Sequence, residues 1–153
     1  MPPLPSTFTQ HIILAEDDED DRFLFKLALD GLPISYTLEV VNDGEQLMQF
    51  LHDCASENLP DVLFLDLNMP RKNGFQCLSE IKRIEKLHLL KIIIFSSHAT
   101  HNLEQLYQDG NLYAIRKPSD KAHFKKVIYQ ALQVGHDTIP AEPINISKSI
   151  FLK

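Results

Sequence analysis

Residues Asp61 to Gly74, which read DVLFLDLNMPRKNG, decide how the rest of the chain is understood. Val62 to Leu65 is a short apolar run, the pattern of a strand buried on both faces. It stops at Asp66, and Pro70 and Gly74 then bend the chain into a loop. A carboxylate ending a central strand cannot enter the core unpaired, because desolvating its charge is too costly. It belongs in a polar crevice at the sheet edge, where α/β folds place their chemistry. Taken alone, the stretch also reads as a strand-ending Asp that caps a turn. The neighbouring segments decide between the two.

Upstream, His11 to Ala15 (HIILA) is a second buried strand, followed at once by the acidic run Glu16 to Asp21 (EDDEDD). Glu19 to Asp21 read as the start of a helix over Asp20 to Asp30, where carboxylates suit the helix dipole. Phe23, Leu24, Leu27 and Ala28 give that helix an apolar stripe. An EF-hand reading of the run fails: no Gly follows at the turn position and no Glu closes the loop. Gly31 and Pro33 end the helix, and Tyr36 to Val41 is a strand of β-branched and aromatic residues. Asp43 then caps a helix running to about Asp53 through Leu47, Met48, Phe50 and Leu51.

Downstream of the central strand, a helix runs from Gly74 to about Glu85 with Phe75, Leu78 and Ile81 on one face. Lys91 to Phe95 (KIIIF) is a buried strand stopped by Ser96, Ser97 and His98. His101 to Gln108 reads as a short helix, Leu112 to Arg116 as a fifth strand and Ser119 to Val134 as a last amphipathic helix. Five strands alternate with five helices and no hairpin signal joins any pair, so right-handed crossovers build a parallel sheet covered on both faces. Residues 1–9, rich in proline, read as a disordered arm, and residues 136–153 as an extension without an output domain.

The bulk composition narrows the function. The chain has 153 residues, enough for one domain with a sizeable core. A net charge of −6 argues against nucleic acid as the main partner, because phosphate binding needs a basic face. MPPLPSTFTQ has neither a basic start nor an apolar core, so no signal peptide is expected. Leu89 to Phe95 is broken by Lys91 and too short to span a bilayer, so no membrane role is expected either. Cys54 and Cys77 lack metal-type spacing and read as reduced thiols of a cytoplasmic protein.

The C-terminal ends of parallel strands lie along one edge. Glu16 and Asp17 follow the first strand, Asp66 ends the third, Ser96 follows the fourth and Lys117 the fifth. Three clustered carboxylates repel one another unless a cation neutralises them. Mg2+ suits such a set, since it takes hard oxygens and keeps waters that a phosphate oxygen can replace.

These residues carry a resemblance. Glu16-Asp17, Asp66 with Asn68, Met69, Pro70 and Gly74, Ser96, and Lys117-Pro118 resemble the receiver domain of two-component response regulators, over about residues 10–135. The DLNMPRKNG loop also resembles the single-domain regulators that work with phytochrome-type histidine kinases. The resemblance implies a flavodoxin-like (βα)5 three-layer sandwich with strand order 2-1-3-4-5. It implies that Asp66 accepts a phosphoryl group, and that Mg2+ is held by Glu16, Asp17, Asp66 and the backbone carbonyl of Asn68. Ser96 and Lys117 would contact the phosphoryl group, and the Lys117–Pro118 bond would be cis. Asn68, Ser97 and His98 would modulate phosphate lifetime, while Pro70, Gly74 and Pro118 are structural.

The implied role is phosphorelay signalling with slow autodephosphorylation and no further enzymatic activity. The implied partners are a sensor histidine kinase or phosphotransfer protein and a downstream protein target, with a second copy of the chain as a homodimer partner. Leu103, Leu106 and Tyr107 on the fourth helix are candidates for those contacts, against core packing as the ordinary role of such residues. A relay or sink for phosphate without its own output is the alternative. A haloacid-dehalogenase-type phosphatase wants an Asp where Asn68 stands, and a flavodoxin-like FMN carrier would find its phosphate loop replaced by carboxylates. One position departs from many receivers: three residues before Lys117 stands Ala114, with Tyr113 its neighbour. Alternation puts these two on opposite faces, so activation is expected to proceed without an inward-rotating aromatic on the fifth strand.

Overall fold

The computed structural model describes residues 9–96 and 111–133. Five strands form one parallel sheet: β1 (Thr9–Ala15), β2 (Ser35–Val41), β3 (Val62–Leu65), β4 (Lys91–Ser96) and β5 (Leu112–Arg116). Their order is β2-β1-β3-β4-β5, as the resemblance implied. Four α-helices are described: α1 (Glu19–Asp30), α2 (Gly44–Asp53), α3 (Gly74–Lys82) and α4 (Phe124–Gln133). The expected helix at His101 to Gln108, with Leu103, Leu106 and Tyr107, lies outside the described residues, as do residues 1–8 and 134–153.

The sheet is covered on both faces, and the two layers differ in chemistry. On one side α2 and α3 close over Ile13, Leu63, Leu65, Ile92 and Ile94 with Leu47, Leu51, Leu78 and Ile81, an aliphatic core. On the other, α1 and α4 close over Leu14, Phe64, Ile93 and Phe95. There Phe25 stacks edge-on against Phe64 at 4.8 Å, and Phe95 against Phe124 at 5.5 Å. Such ring pairs contribute about 0.5–1.5 kcal/mol each beyond their burial.

Local chemistry explains where the helices start. Asp18 caps α1 by accepting from the Asp21 amide, and Asp43 caps α2 by accepting from Gln46. Asn73 and Gln76 form a reciprocal capping box at α3. Lys86 Nζ donates to the carbonyls of His52 at 3.0 Å and Cys54 at 2.6 Å, satisfying orphan acceptors at the C-terminus of α2.

Three sequence expectations need correction. The buried face of α1 is Phe25, Ala28 and Leu29, not the stripe through Phe23 and Leu27, which are 66% and 57% exposed. Two apolar stripes compete on this short helix, and the aromatic pocket under Phe64 selects Phe25. Helix α3 ends at Lys82, and a 3-10 turn over Glu85–Leu87 replaces its expected last turn. The last helix begins at Phe124, after a 3-10 turn at Lys121–His123, rather than at Ser119. The alternation on β5 holds: Ala114 packs with the aliphatic layer while the half-buried Tyr113 lies against the aromatic one.

Candidate functional site

All the converging groups meet at the C-terminal edge of the sheet. The Asp66 amide donates to the Ala15 carbonyl at 3.0 Å and the Glu16 amide to that of Val41 at 3.0 Å, so backbone ladders fix both strand ends. The ligand atoms of Glu16, Asp17 and Asp66 lie within 4.8 Å of one another. Glu16 and Asp66 are buried, Asp17 is exposed, and Ser96 is buried at the end of β4. The Lys117 amide donates to the Ser96 carbonyl at 2.9 Å, which brings the fifth strand end to the same edge.

Lys117 Nζ lies among the carboxylates, 2.6 Å from Glu16 Oε1, 2.8 Å from Asp21 Oδ2 and 3.9 Å from Asp66 Oδ2. It also sits 5.8 Å from the centre of the Phe95 ring, within reach of its electron-rich face. The Lys117–Pro118 bond that the resemblance implied to be cis is trans, the form X-Pro bonds prefer by about 0.5–1 kcal/mol. Lys117 reaches all three carboxylates from that geometry.

Burial dominates the protonation of the acids. It pushes Glu16 up to about 8 against the opposing hydrogen bond and charge of Lys117. Burial also raises Asp66, again opposed by Lys117. Burial works against the Lys117 ammonium as well, but its hydrogen bonds to Asp21 and Glu16, together with the charges of Glu16 and Asp66, outweigh that and raise its pKa. The crevice is thus short of positive charge and lined with hard oxygen donors, a set that fits a small divalent cation.

The loop after β3 closes the site. The Asn68 amide approaches Asp66 Oδ1 at 3.4 Å, and the Gly74 amide donates to Leu67 O at 3.0 Å. A Cβ at Gly74 would stand 2.8 Å from the Asp66 carbonyl, so only glycine allows α3 to start this close to the site. Ser97 and His98 lie outside the described residues. Asp21 was missed by sequence reasoning, which read it as part of a solvated helix start. Its place in the first turn of α1, one turn beyond Asp17, was the available signal.

Known proteins match this chain over the span that holds these residues. The family model for the response regulator receiver domain matches residues 12–129. The chain belongs to the response regulator receiver family. A receiver domain serves phosphorelay signalling, and curated relatives agree with that placement. Response regulator Rcp1 of Synechocystis is 30% identical over 121 residues, covering 76% of this chain and 82% of its own length. Probable methanogenesis regulatory protein FilR2 of Methanothrix harundinacea is 29% identical, covering 76% of this chain and 77% of its own. Among solved structures, the phosphorylated cyanobacterial phytochrome response regulator RcpA superposes with a TM-score of 0.74 at 24% identity, covering 88% of this receiver and 100% of that chain. The Mn2+-bound form of Rcp1 superposes with a TM-score of 0.71 at 22% identity, covering 88% and 99%. Among the described residues, no helix of this receiver is long and apolar enough to cross a membrane.

Proposed function

We propose that this receiver takes a phosphoryl group from a histidine kinase or phosphotransfer protein onto Asp66, and that the phosphorylated form presents a changed surface to a downstream protein in the cytoplasm. The observation that carries the reading is the convergence of Glu16, Asp17, Asp66 and Lys117 at the end of a parallel sheet. Glu16, Asp17, Asp66 and the Asn68 carbonyl would hold Mg2+, which supplies charge neutralisation for the phosphoryl oxygens when bound. A carboxylate oxygen of Asp66 forms the new P–O bond as the P–N bond to the donor imidazole breaks, and the imidazole leaves with the electron pair. Lys117, within 3.9 Å of Asp66, offers an N–H to a phosphoryl oxygen, and Ser96 offers its hydroxyl. Asn68 borders the path of the water that later hydrolyses the acyl phosphate.

In this reading the donor approaches over the rim formed by α1 and the β5–α4 connection. A groove of about 1140 Å³ opens there, lined by Phe23, Leu24, Pro118, Phe124 and Val127 with Asp20 and Arg116. The exposed Phe23 ring suits an apolar helix face on the donor. The test uses two donors. Asp66→Asn should abolish labelling by acetyl phosphate with Mg2+ and by the kinase alike. Phe23→Ser should slow transfer from the kinase while leaving acetyl phosphate labelling unchanged. Undiminished labelling of Asp66→Asn would overturn the assignment, and equal slowing with both donors would overturn the role of the groove.

A further inference from the structure

The loop between β3 and α3 carries a charge that the phosphorylation chemistry does not use. Arg71 has φ 66°, the left-handed region that a long side chain seldom adopts, and among the described residues no other non-glycine has positive φ. Its Nη1 donates to Asp43 Oδ2 at 2.9 Å. Asp43 is 3% exposed, and its other oxygen already caps α2 by accepting from Gln46 N at 2.8 Å. The cap alone does not require charge, because Asn serves that position as well as Asp. Nor does the turn require Arg, because Gly or Asn would adopt its φ with less strain.

We propose that the Asp43–Arg71 pair is a clamp that positions the loop bearing Asp66 and Asn68, so that Arg71 is a positioning residue for cation binding. The inference rests on the Mg2+-dependent reading above and adds to it two residues on the far side of the loop. The surrounding contacts support it. A Cβ at Gly44 would stand 1.9 Å from the Lys72 carbonyl, so the loop is pressed directly onto the first turn of α2. Lys72 is further tied to Glu80 on α3, and Gly74 to Leu67. Arg71 is the attachment that reaches across to the β2–α2 corner by charge. Outer partners that orient a metal's ligands govern its affinity. Asn68, whose carbonyl would be the backbone ligand, lies in the same loop as Arg71, and the clamp limits how that loop can shift.

Mg2+ titration of the full chain, by calorimetry and by the Asn68 amide resonance, tests the proposal with Asp43→Asn, Arg71→Gly, the double variant and Arg71→Lys. General electrostatics predicts opposite signs: losing a cation should tighten Mg2+ binding and losing an anion should weaken it. The clamp predicts the same sign. Both single variants should bind more weakly, by up to about tenfold, which is at or below the effect of losing a partner bonded directly to a ligand. The double variant should be no worse than either single one, since the two residues act as a unit. Arg71→Lys should recover part of the affinity. Arg71→Gly relieves the backbone and Asp43→Asn keeps the cap, so both should stay folded. Opposite signs, full additivity or unchanged affinity in either single variant would overturn the clamp. If Asp66→Asn loses Mg2+ while Arg71→Gly binds like wild type, the clamp alone fails. If wild type does not bind Mg2+, both readings fail.

Discussion

Two lysines mark opposite edges of the same sheet and meet opposite fates. Lys117, just past the C-terminal end of β5, has three carboxylates within 4.0 Å, and its pKa is raised despite burial. Lys91 opens β4 at the other edge, and its Nζ donates to the Leu132 carbonyl at 3.2 Å near the end of α4. Burial, with no compensating anion among the described residues, pushes Lys91 down to about 8. The same side chain is thus held as a cation by its neighbours at one edge and is a cost at the other. Parallel strands create this asymmetry, because their C-terminal ends bring separate loops together at one crevice.

The largest expected effect breaks the comparison at its active end. Lys117→Met removes the ammonium from beside Asp66 and should slow phosphorylation by acetyl phosphate by about 10²-fold, as losing one aimed donor does. The same change should tighten Mg2+ binding, because Glu16 no longer shares its charge with Lys117. Phosphorylation rate and Mg2+ titration measured on one preparation check the opposed signs. If both quantities fall together, Lys117 is a scaffold and not a partner of the phosphoryl group.

At the other edge the sign reverses. A lysine whose folded pKa is lowered holds fewer protons than the unfolded chain between the two values, so stability rises with pH across that window. For Lys91 the window runs from about 8 to the ordinary 10.5. Below it the cost of burying the charge is constant. Lys91→Met should therefore stabilise the protein by about 1–2 kcal/mol at pH 7, the scale of replacing a poorly compensated buried charge. Urea melts should show the gain shrinking as pH rises through 8 toward 10.5, with phosphorylation untouched. A gain independent of pH would mean that packing, not charge, is responsible.

The contrast also explains what the sequence revealed. All five strands were legible because β3 and β4 are uninterrupted apolar runs, and the strand-end residues Glu16, Asp17, Asp66, Ser96 and Lys117 followed from topology alone. The face of α1 was not legible: Phe23, Leu24, Phe25, Leu27 and Leu29 offer several apolar stripes, and only the aromatic layer under the helix selects among them. The Arg71 contact was equally hidden, since it joins residues 28 apart in sequence through a backbone geometry that local propensity disfavours. Asp21 was hidden by its neighbours, because an acidic run gives no sign of which carboxylate turns inward.

Asp21 supplies the smallest and sharpest test of the comparison. It is Lys117's second close partner, at 2.8 Å, yet its side chain remains 30% exposed and its oxygens lie outside the Glu16, Asp17 and Asp66 cluster. If surrounding anions are what separate Lys117 from Lys91, then Asp21→Asn should move Lys117 part of the way toward Lys91. Burial would still oppose the ammonium, and Glu16 would remain as the close anion, so the pKa of Lys117 should fall. The sign for stability follows. A lysine with a raised folded pKa contributes stability below its unfolded value of 10.5 and loses it as pH climbs through the folded value. The variant should therefore be less stable at neutral pH, by about 1 kcal/mol or less for so exposed a partner, and should lose the remaining contribution of Lys117 at a lower pH. Lysine side-chain 15N titration of wild type and variant reads the shift directly. An unmoved Lys117 titration would assign its protonation to Glu16 and Asp66 and leave Asp21 as an ordinary residue of the first turn of α1.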